Sequence, residues 1–380
     1  MGYAVDTVII GGGPAGMSCA CLLQKKGVSN LVVEKKQFPR KKLCAGLVTQ
    51  KTFRLLAEEL GFSADELAPI FCDESRTLEL YNGSELLTRS ELFTPFRLTR
   101  REAFDSFLAA QYQRRGGTLL ENTVCNSIDL PANELTLSSG ETVNFRHLVV
   151  ADGALSDTRK LLDIPAPTLG FCVETHVPKA KLPHQGNAVQ VRFGVIPKGY
   201  AWVFPSGNDF CVGMGGVCQK GIAYGELMNA FLSSLGLDDP AGFPAKGAFL
   251  PYGNTKKQTC GAENVILIGD AGGFADPISG EGLYFALASG KAAADAILRA
   301  PEKTRTAFCR LTANERKIIR QGTRLQRLLY FPALQKWFCK KVRGKNAFVG
   351  FYCENQVSEY KYPYAGLLRM CRDYKKRKKG

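Results

Sequence analysis

The segment Gly11–Gly16, Gly-Gly-Gly-Pro-Ala-Gly, constrains the fold of this 380-residue chain more than any other feature. The apolar run Val5–Ile10 precedes it, the helical stretch Met17–Lys26 follows it, and a second apolar run, Asn30–Val33, leads to Glu34. The order strand, Gly-x-Gly-x-x-Gly, helix, strand and acid is typical of a dinucleotide-binding βαβ unit. The sequence therefore predicts a Rossmann-like domain near its start.

Each position of this fingerprint has its own physical task. Gly11 permits the tight turn, Gly13 lets the backbone approach a pyrophosphate, and Gly16 allows the helix to pack closely on the strand. Glu34 lies 23 residues after Gly11, where its carboxylate can accept hydrogen bonds from an adenosine ribose. Because an acid suits an unphosphorylated ribose, the site is predicted to hold FAD or NAD rather than NADP.

A second Gly-rich segment, Gly269–Gly290, lies late in the chain. It follows the strand-like run Asn264–Ile268 and leads into the Ala-rich helical stretch Gly290–Leu298. An Asp at the end of a buried strand, here Asp270, can bind a sugar or ribityl hydroxyl. A Gly-rich turn that opens a helix brings backbone N–H groups to an anion or a carbonyl oxygen. A plain loop followed by a helix is the alternative.

Composition excludes several classes of protein. Apolar residues make up 45% of the chain and aromatic residues 10%, which predicts a globular protein. The 13 Cys form no Cys-x-x-Cys pair, and only three His are present, so neither zinc nor an iron–sulfur cluster is expected. Cys19 and Cys21 are expected to pack inside the first helix. Scattered Cys favour a reducing cytoplasm, and neither a signal peptide nor an apolar run of 18 residues is expected.

The excess of positive over negative charge is confined to the C-terminal region. Residues 299–380 contain 22 Lys and Arg against 5 Asp and Glu, a net charge of +17, whereas the whole chain carries +15. Within Arg324–Val342, cations alternate with Leu, Phe and Trp, which favours an interfacial helix on an anionic membrane surface, at the inner face of the cell membrane. A solvated basic surface is the alternative. Nucleic acid is not expected, because no nucleic-acid-binding module accompanies the charge, and the oligomeric state stays open.

Between the two Gly-rich segments, strand-like and helical patterns alternate. Helices are expected at Lys51–Leu60 and Arg101–Arg115, and a strand is expected at Val143–Val150. Residues 168–254 have the short alternating runs of an antiparallel sheet, and residues 304–345 are helical.

Three motifs in order resemble the flavoprotein group typified by p-hydroxybenzoate hydroxylase. They are Gly11–Gly16, Ala151–Ser156 and Gly269–Ala271. Two further segments, Lys42–Leu47 and Gly199–Pro205, together with the full late Gly-rich segment, resemble the geranylgeranyl reductase family. The chain is most similar to its CbrA-type bacterial branch, which shares a basic tail with a segment like Pro332–Trp337.

The resemblance implies FAD as cofactor and the reduction of isoprenoid double bonds, with an apolar isoprenoid as substrate. It also implies an α/β fold with three parts. We expect a discontinuous FAD-binding domain at residues 1–72, 97–165 and 255–300. An inserted antiparallel β-sheet substrate domain would span residues 73–96 and 166–254, and a basic helical region residues 301–380.

The resemblance also assigns cofactor contacts. Ala15 and Glu34 would hold the adenosine diphosphate half, Val124 would frame the adenine, and Arg101 would reach the phosphates or the ribityl chain. Gly282 and Leu283 would donate backbone N–H groups to the flavin edge, and Cys44, Ala45 and Leu47 would lie beside the flavin ring. The complete expected cofactor site comprises Gly11, Gly13, Pro14, Ala15, Gly16, Glu34, Lys35, Cys44, Ala45, Leu47, Arg101, Val124, Asp152, Gly153, Gly269, Asp270, Pro277, Gly280, Gly282 and Leu283.

Several roles stay open at the level of sequence. Cys44 is either a buried apolar residue or a flavin-side group that donates a proton in catalysis. Tyr200, Trp202 and Phe204 alternate on a strand, either as packed core or as the wall of a tunnel for a lipid chain. Asp276 and Glu281 are expected to be solvated turn carboxylates, since an acid near reduced flavin would be repelled.

The activity also has alternatives. A monooxygenase or halogenase of the same fold would consume O₂, and a flavoprotein of the membrane surface would have no turnover of its own. The electron donor is expected to be NAD(P)H, bound transiently, or a ferredoxin-like protein that docks on the basic face.

Overall fold

The computed structural model describes residues 2–251, 262–358, 369 and 372–374. The strands are β1 (Tyr3–Ile10), β2 (Asn30–Val33), β3 (Leu47–Val48), β4 (Phe71–Asn82), β5 (Glu85–Thr99), β6 (Thr118–Leu120), β7 (Cys125–Asp129), β8 (Glu134–Leu137), β9 (Thr142–Val150), β10 (Leu169–Pro178), β11 (Val189–Phe193), β12 (Gly199–Ser206), β13 (Asp209–Val217), β14 (Lys246–Pro251) and β15 (Val265–Leu267). The helices are α1 (Pro14–Lys25), α2 (Gln50–Arg54), α3 (Ala64–Leu67), α4 (Arg101–Arg114), α5 (Asp157–Leu161), α6 (Tyr224–Ser234), α7 (Leu283–Arg299), α8 (Thr304–Leu311), α9 (Ala313–Leu329), α10 (Pro332–Val342) and α11 (Asn346–Ser358).

The first sheet is built on parallel strands. β2 and β9 flank β1, β6 pairs with β2, and β15 pairs with the second half of β9, while β8 and β7 extend the first half of β9 as an antiparallel meander. These central strands are buried and rich in Val, Ile and Leu, because helices cover the sheet. Parallel strands end at one edge, so Gly11, Glu34, Ala151 and Ile268 lie along the same edge of the sheet.

The second sheet has the order β14-β10-β13-β12-β11-β4-β5-β3. Its pairs are antiparallel except β4 with β11, which is parallel. One face packs against α6 around Val212 and Phe231. The opposite face carries Trp202 and Phe204, which pack with Leu47 of β3 and with residues of α10 and α11. The predicted fold class, an α/β flavoprotein fold with an inserted sheet and C-terminal helices, is confirmed.

Most predicted elements agree with the structure to within a few residues. The strand at Asn30–Val33 has the predicted bounds, and Arg101–Arg115 is α4. The predicted helix Lys51–Leu60 is α2 followed by a π-helical turn at Leu55–Glu59. The stretch 168–254 is β-rich as predicted, with strands β10 to β14, and it also contains α6. One predicted start was wrong, since α7 begins at Leu283, seven residues earlier than expected.

The C-terminal prediction needs a correction too. Arg324–Val342 is not one interfacial helix, because α9 ends at Leu329 and α10 begins at Pro332. Proline has no N–H to continue a helix and is favoured at a helix start, so the break falls at this residue. α11 then lies against β5, where Ser90 Oγ donates to the Asn346 carbonyl. The Lys375–Lys379 run lies outside the described residues.

The described part of the chain holds no helix that has both the length and the apolar character needed to cross a membrane.

Candidate active site

The first Gly-rich turn is shaped by close backbone contacts. Gly11 has φ +108°, and a Cβ there would lie 2.4 Å from the Ala151 carbonyl oxygen at the end of β9. A Cβ at Gly16 would lie 2.0 Å from the Gly11 carbonyl oxygen. The two glycines let α1 start directly against the sheet edge, so that its buried first turn, with Pro14 and Ala15, faces this edge. A Cβ at Gly13, by contrast, would come no closer than 3.6 Å to Arg40, so the turn is open on that side.

The Glu34 carboxylate at the end of β2 is buried and fixed by backbone donors. Its Oε2 accepts the Gly12 N–H at 2.9 Å, and its Oε1 accepts the Lys36 N–H at 3.0 Å. Arg40 Nη2 lies 3.5 Å from Oε2. A carboxylate has about four acceptor positions, so it keeps capacity for ribose hydroxyls. Lys35, by contrast, is exposed.

The loop before β7 lies beside Glu34. The Thr123 N–H donates to the Glu34 carbonyl at 3.0 Å, which brings the next residue, Val124, to the same end of the site. Val124 is 40% exposed.

Asp152 and Gly153 follow β9 at the same edge. Asp152 Oδ2 accepts the Thr158 N–H at 3.0 Å, and Gly153 has φ +91°. Asp152 Oδ1 is buried and has no hydrogen-bond partner among the described residues. A buried carboxylate oxygen without a partner is costly, so a ligand donor is expected to fill that position. This orphaned oxygen and the open turn at Gly13 show that the residues present fit a bound dinucleotide.

The late Gly-rich segment meets the early one in space. Gly269 has φ +55°, and a Cβ there would lie 2.7 Å from Ala15 Cβ. A Cβ at Gly290 would lie 2.3 Å from the Ala15 carbonyl oxygen, so α1 and α7 pack backbone to backbone. The two segments therefore form one site.

Asp270 lies in a one-turn 3₁₀ helix directly after β15. Its Oδ2 is 3.5 Å from Lys42 Nζ, and a Cβ at Gly282 would lie 3.8 Å from its Oδ1. Asp270 thus sits beside the N-terminus of α7, where Leu283 begins the helix and unpaired backbone N–H groups favour an anion.

Asp276 and Glu281 are not solvated, contrary to the sequence-based expectation. Asp276 is 1% exposed, and its Oδ1 accepts the Ile278 N–H at 2.7 Å. Glu281 Oε2 pairs with the buried Lys51 Nζ at 2.6 Å, and its Oε1 accepts the Thr49 hydroxyl at 2.8 Å. Hydrogen bonds and the ammonium group of Lys51 therefore hold these acids inside the fold, a pairing across about 230 residues that no local pattern reveals.

The C-terminal helices complete this side of the site. Gln326 Nε2 of α9 donates to the carbonyl of Pro277 at 2.5 Å, and Lys51 Nζ donates to the Gln356 carbonyl of α11 at 2.8 Å. Helix α9 is therefore packed on the turn that contains Pro277, and α11 contacts Lys51, the partner of Glu281.

The loop at residues 42–46, called the Cys44 loop, precedes β3 and contacts β10 of the second sheet. The Cys44 N–H donates to Glu174 Oε1 at 2.8 Å, and the Gly46 N–H donates to Cys44 Sγ at 3.4 Å. Burial raises the pKa of the Cys44 thiol above its ordinary value, with a smaller opposing effect from Arg101. Ala45 and Leu47 pack against the apolar face of the second sheet.

The two adjacent arginines have different partners. Arg101 is buried, and its Nε and Nη2 donate to Asp105 at 2.7 Å each. This pair uses two of the five N–H donors of the guanidinium. Arg100 Nη2 pairs with Asp209 Oδ2 at 2.5 Å, on the second sheet. Arg101 therefore remains the candidate for cofactor contact.

The three aromatic residues of β12 share one face of the second sheet. The Tyr200 hydroxyl donates to the Ser279 carbonyl, next to Gly280, and its ring centroid lies 6.1 Å from that of Trp202. A Cβ at Gly213, opposite Trp202, would lie 2.3 Å from the indole ring. Trp202 and Phe204 are buried in the cluster that also contains Ala45 and Leu47, so they are core residues of the second sheet.

Sequence reasoning missed Glu174. This residue on β10 is 4% exposed, and burial raises the pKa of its carboxyl group. One ligand atom each of Glu174, His176 and Cys211 lies within 4.8 Å of the others, the kind of group that could hold a metal ion; it is empty. The alternation of β10 was the available signal, since an acid at an inward position of a buried strand needs a partner.

Comparisons with known proteins agree with this architecture. A family model described as FAD binding domain matches residues 4–181. An uncharacterized protein of Methanosarcina barkeri is 30% identical over 302 residues, which span 77% of this chain and 74% of that protein. The menaquinone reductase of Mycolicibacterium smegmatis is 27% identical over 319 residues, 78% of this chain and 76% of the enzyme. The digeranylgeranylglycerophospholipid reductase of Methanococcus aeolicus is 26% identical over 313 residues, 77% of each chain.

A solved structure has the same fold. The geranylgeranyl bacteriochlorophyll reductase-like protein of Thermoplasma acidophilum superposes with a TM-score of 0.76 and 16% identity, over 98% of this chain and 100% of that one. The fold and the site thus define a flavoprotein that binds FAD. The chain belongs to the FAD-dependent oxidoreductases of the geranylgeranyl reductase-like group.

Proposed function

We propose that this protein reduces carbon–carbon double bonds of an isoprenoid or another apolar lipid, as a member of the CbrA-type branch. The observation that supports the proposal is the apolar cluster of Trp202 and Phe204, which includes Ala45 and Leu47 next to Cys44. The named reductases among its relatives act on geranylgeranyl lipids and menaquinone, which supports an isoprenoid chain as the substrate.

When bound, FAD supplies a hydride from N5 of its reduced form. The N-terminus of α7, with Gly282 and Leu283, favours the negative charge of the reduced ring, because its backbone N–H groups lack helical partners. Asp270 and Asp152 accept hydroxyl donors from the cofactor chain, and Glu34 accepts those of the ribose.

The Cys44 thiol carries the proton that the reduction needs in addition to the hydride. Since burial raises its pKa, the thiol stays protonated at pH 7 and donates S–H to the alkene carbon that does not receive hydride. The aromatic wall of β12 excludes water and aligns the chain along the second sheet.

The experiment uses purified holoprotein, reduced anaerobically with dithionite. Addition of geranylgeranyl or polyprenyl lipids is expected to reoxidise the flavin and to increase the lipid mass by 2 per bond. Reoxidation only on admission of O₂, with an oxygenated product, would establish a monooxygenase or halogenase instead. No reoxidation under either condition would favour a flavoprotein without turnover.

Matched variants locate the chemistry. Cys44→Ala is expected to slow lipid-dependent reoxidation by about 10²-fold, the usual contribution of a general acid. Cys125→Ala, a buried cysteine in the first-domain core, should leave the rate unchanged. Trp202→Ala should raise KM for the lipid, whereas Phe210→Leu, on the opposite face of the second sheet, should not.

We propose that the electron donor is NAD(P)H, bound transiently, or a ferredoxin-like protein. The sequence contains one dinucleotide fingerprint, which FAD uses. Anaerobic mixing of oxidised holoprotein with NADH, NADPH or reduced ferredoxin, followed by the flavin absorbance, distinguishes the donors.

We further propose that the protein attaches to anionic membrane surfaces through α10. Its Cys339 and Val342 face the core, while Phe331, Leu334 and Trp337 are 59%, 39% and 58% exposed. Lysines surround this exposed apolar stripe, at positions 336, 340 and 341. Apolar side chains ringed by cations suit the boundary of an anionic bilayer, from which an isoprenoid would enter.

Sedimentation with phosphatidylglycerol vesicles tests this attachment. Trp337→Ser is expected to weaken binding about tenfold or more, since burial of a large apolar side chain contributes about 1.5–3 kcal/mol. Phe93→Ser, at a 92% exposed position on β5, is the matched control. Equal binding to phosphatidylcholine vesicles, or equal loss in both variants, would contradict the proposal.

A further inference from the structure

Glu174 links the Cys44 loop to the outside of the second sheet. Its carboxyl group is buried on β10 and accepts the Cys44 N–H at 2.8 Å. It also lies within Coulombic range of the Cys44 thiol and of Arg101, and it receives a hydrogen bond from the Cys211 thiol. Nothing in FAD binding requires an acid at this place.

His176 lies two residues further along the same strand and therefore on the same face. It is exposed to solvent and stands opposite Cys211 in the register of β10 and β13. A ring nitrogen of His176, a carboxylate oxygen of Glu174 and Cys211 Sγ lie within 4.8 Å of one another. An exposed imidazole and a buried carboxyl group thus lie next to each other, and the carboxyl group accepts the backbone N–H of the half-buried Cys44.

We propose that His176 and Glu174 form a relay that returns a proton from solvent to Cys44 after each reduction. This inference rests on the proposed function, because saturation of each double bond consumes one hydride and one proton. Neither residue touches the substrate, so both act through Cys44.

The proton balance is closed. The π electrons of the alkene form a C–H bond with the proton of Cys44, while the other carbon accepts the hydride. The resulting thiolate takes the carboxyl proton of Glu174. Burial and Arg100 lower the pKa of His176, so its ring is neutral at pH 7. The Glu174 carboxylate, stabilised by the Cys44 N–H and by Arg101, takes the proton of one ring nitrogen of His176 while the other ring nitrogen takes a proton from water.

Arg101 and Arg100 explain why the three side chains serve protons rather than a metal ion. Arg101 lies near Glu174, and Arg100 lies near His176. Two guanidinium groups beside the cluster oppose a divalent cation, whereas they stabilise the transient carboxylate.

The test compares the first turnover with repeated turnover in the dithionite-reduced holoprotein with excess lipid. Glu174→Gln keeps the shape of the side chain but has no proton to deliver. It is expected to saturate one bond per protein at close to the wild-type rate, from the proton already on Cys44. Later turnovers should slow by about 10²-fold. If the first and later turnovers of Glu174→Gln have equal rates, or are slowed equally relative to wild type, the relay proposal is wrong.

His176→Ala provides a second variant at an exposed position, where folding is not at risk. Its repeated turnover should slow and should recover with added imidazole, while His184→Ala, another exposed histidine, should match wild type with and without imidazole. If His176→Ala turns over like wild type, protons do not enter through this residue and the relay is wrong.

A measurement on the FAD-free protein separates this inference from the proposed function. At pH 8.5, Glu174→Gln should be alkylated at Cys44 several-fold faster than wild type, because the neighbouring carboxylate raises the thiol pKa. If lipid fails to reoxidise even the wild-type flavin, the isoprenoid proposal fails, while faster alkylation still supports the link between Glu174 and Cys44. Unchanged alkylation would remove that link.

Discussion

Gly46→Ala tests whether a single backbone contact holds the Cys44 loop in place. Gly46 has φ +77°, and a Cβ there would lie 2.0 Å from the Thr99 carbonyl oxygen. The Gly46 carbonyl also accepts the Thr99 N–H at 2.8 Å. Alanine must therefore adopt a left-handed conformation and also push apart two hydrogen-bonded strands.

Gly221 separates these two costs. It has the same φ, +77°, but a Cβ there would meet no atom within 4 Å. Gly221→Ala therefore carries only the left-handed penalty, about 1–2 kcal/mol. Gly46→Ala adds the displacement of packed backbone, about 1–3 kcal/mol more, for a total of roughly 2–5 kcal/mol.

Urea unfolding of the two variants measures the difference in the free energy of unfolding. We expect Gly46→Ala to lose at least about 1 kcal/mol more than Gly221→Ala. It should also weaken FAD binding, since Cys44, Ala45 and Leu47 move with it. Equal losses in the two variants would show that the Thr99 contact relaxes without cost and would refute the reasoning.

Three further predictions follow from buried polar groups. Lys51→Met should destabilise the protein by about 3–5 kcal/mol, because it removes one partner of the buried Lys51–Glu281 ion pair; urea unfolding of the double variant with Glu281→Gln should show a smaller loss. His147 is buried and its pKa is lowered, first by burial and then by Arg146, so the unfolded chain binds the proton more tightly. The free energy of unfolding should therefore fall as the pH drops below about 6.5, and the slope between pH 6.5 and 5 should be shallower in His147→Gln. Asp152→Asn should lower FAD affinity about tenfold, measured by flavin fluorescence, because it alters the orphaned buried oxygen; unchanged affinity would mean that no cofactor donor reaches it.

The nucleotide half of the site could be predicted because its signals are local. A turn of φ +108° at Gly11 and a close approach at Gly16 exclude side chains, so the requirement is visible in the residue type alone. The short strand β2 was predicted from an apolar run, and the acid directly after that run is Glu34. The order of three such motifs then indicated the fold class.

The other half depends on contacts between distant segments. Asp276 and Glu281 were predicted to be solvated turn carboxylates because their partners, among them Lys51, come from other parts of the chain. The prediction of a single interfacial helix was wrong, because a new helix begins at Pro332. Helix α6 was not predicted, because it lies inside a stretch that is otherwise rich in strands. Glu174 was overlooked, since a lone acid on a strand gives no sign of what it faces.

The sequence by itself determined the Gly-rich turns, the strand that carries Glu34 and the excess of positive charge near the end of the chain, because each depends on backbone sterics or on composition. Only the tertiary structure decided that Gly269 meets Ala15, that Glu174 meets Cys44, that α9 contacts Pro277 and that α11 contacts Lys51. Those contacts join residues far apart in the chain, and burial raises the pKa values of Cys44 and Glu174. The chemistry proposed for Cys44 therefore depends on the contact between its loop and β10.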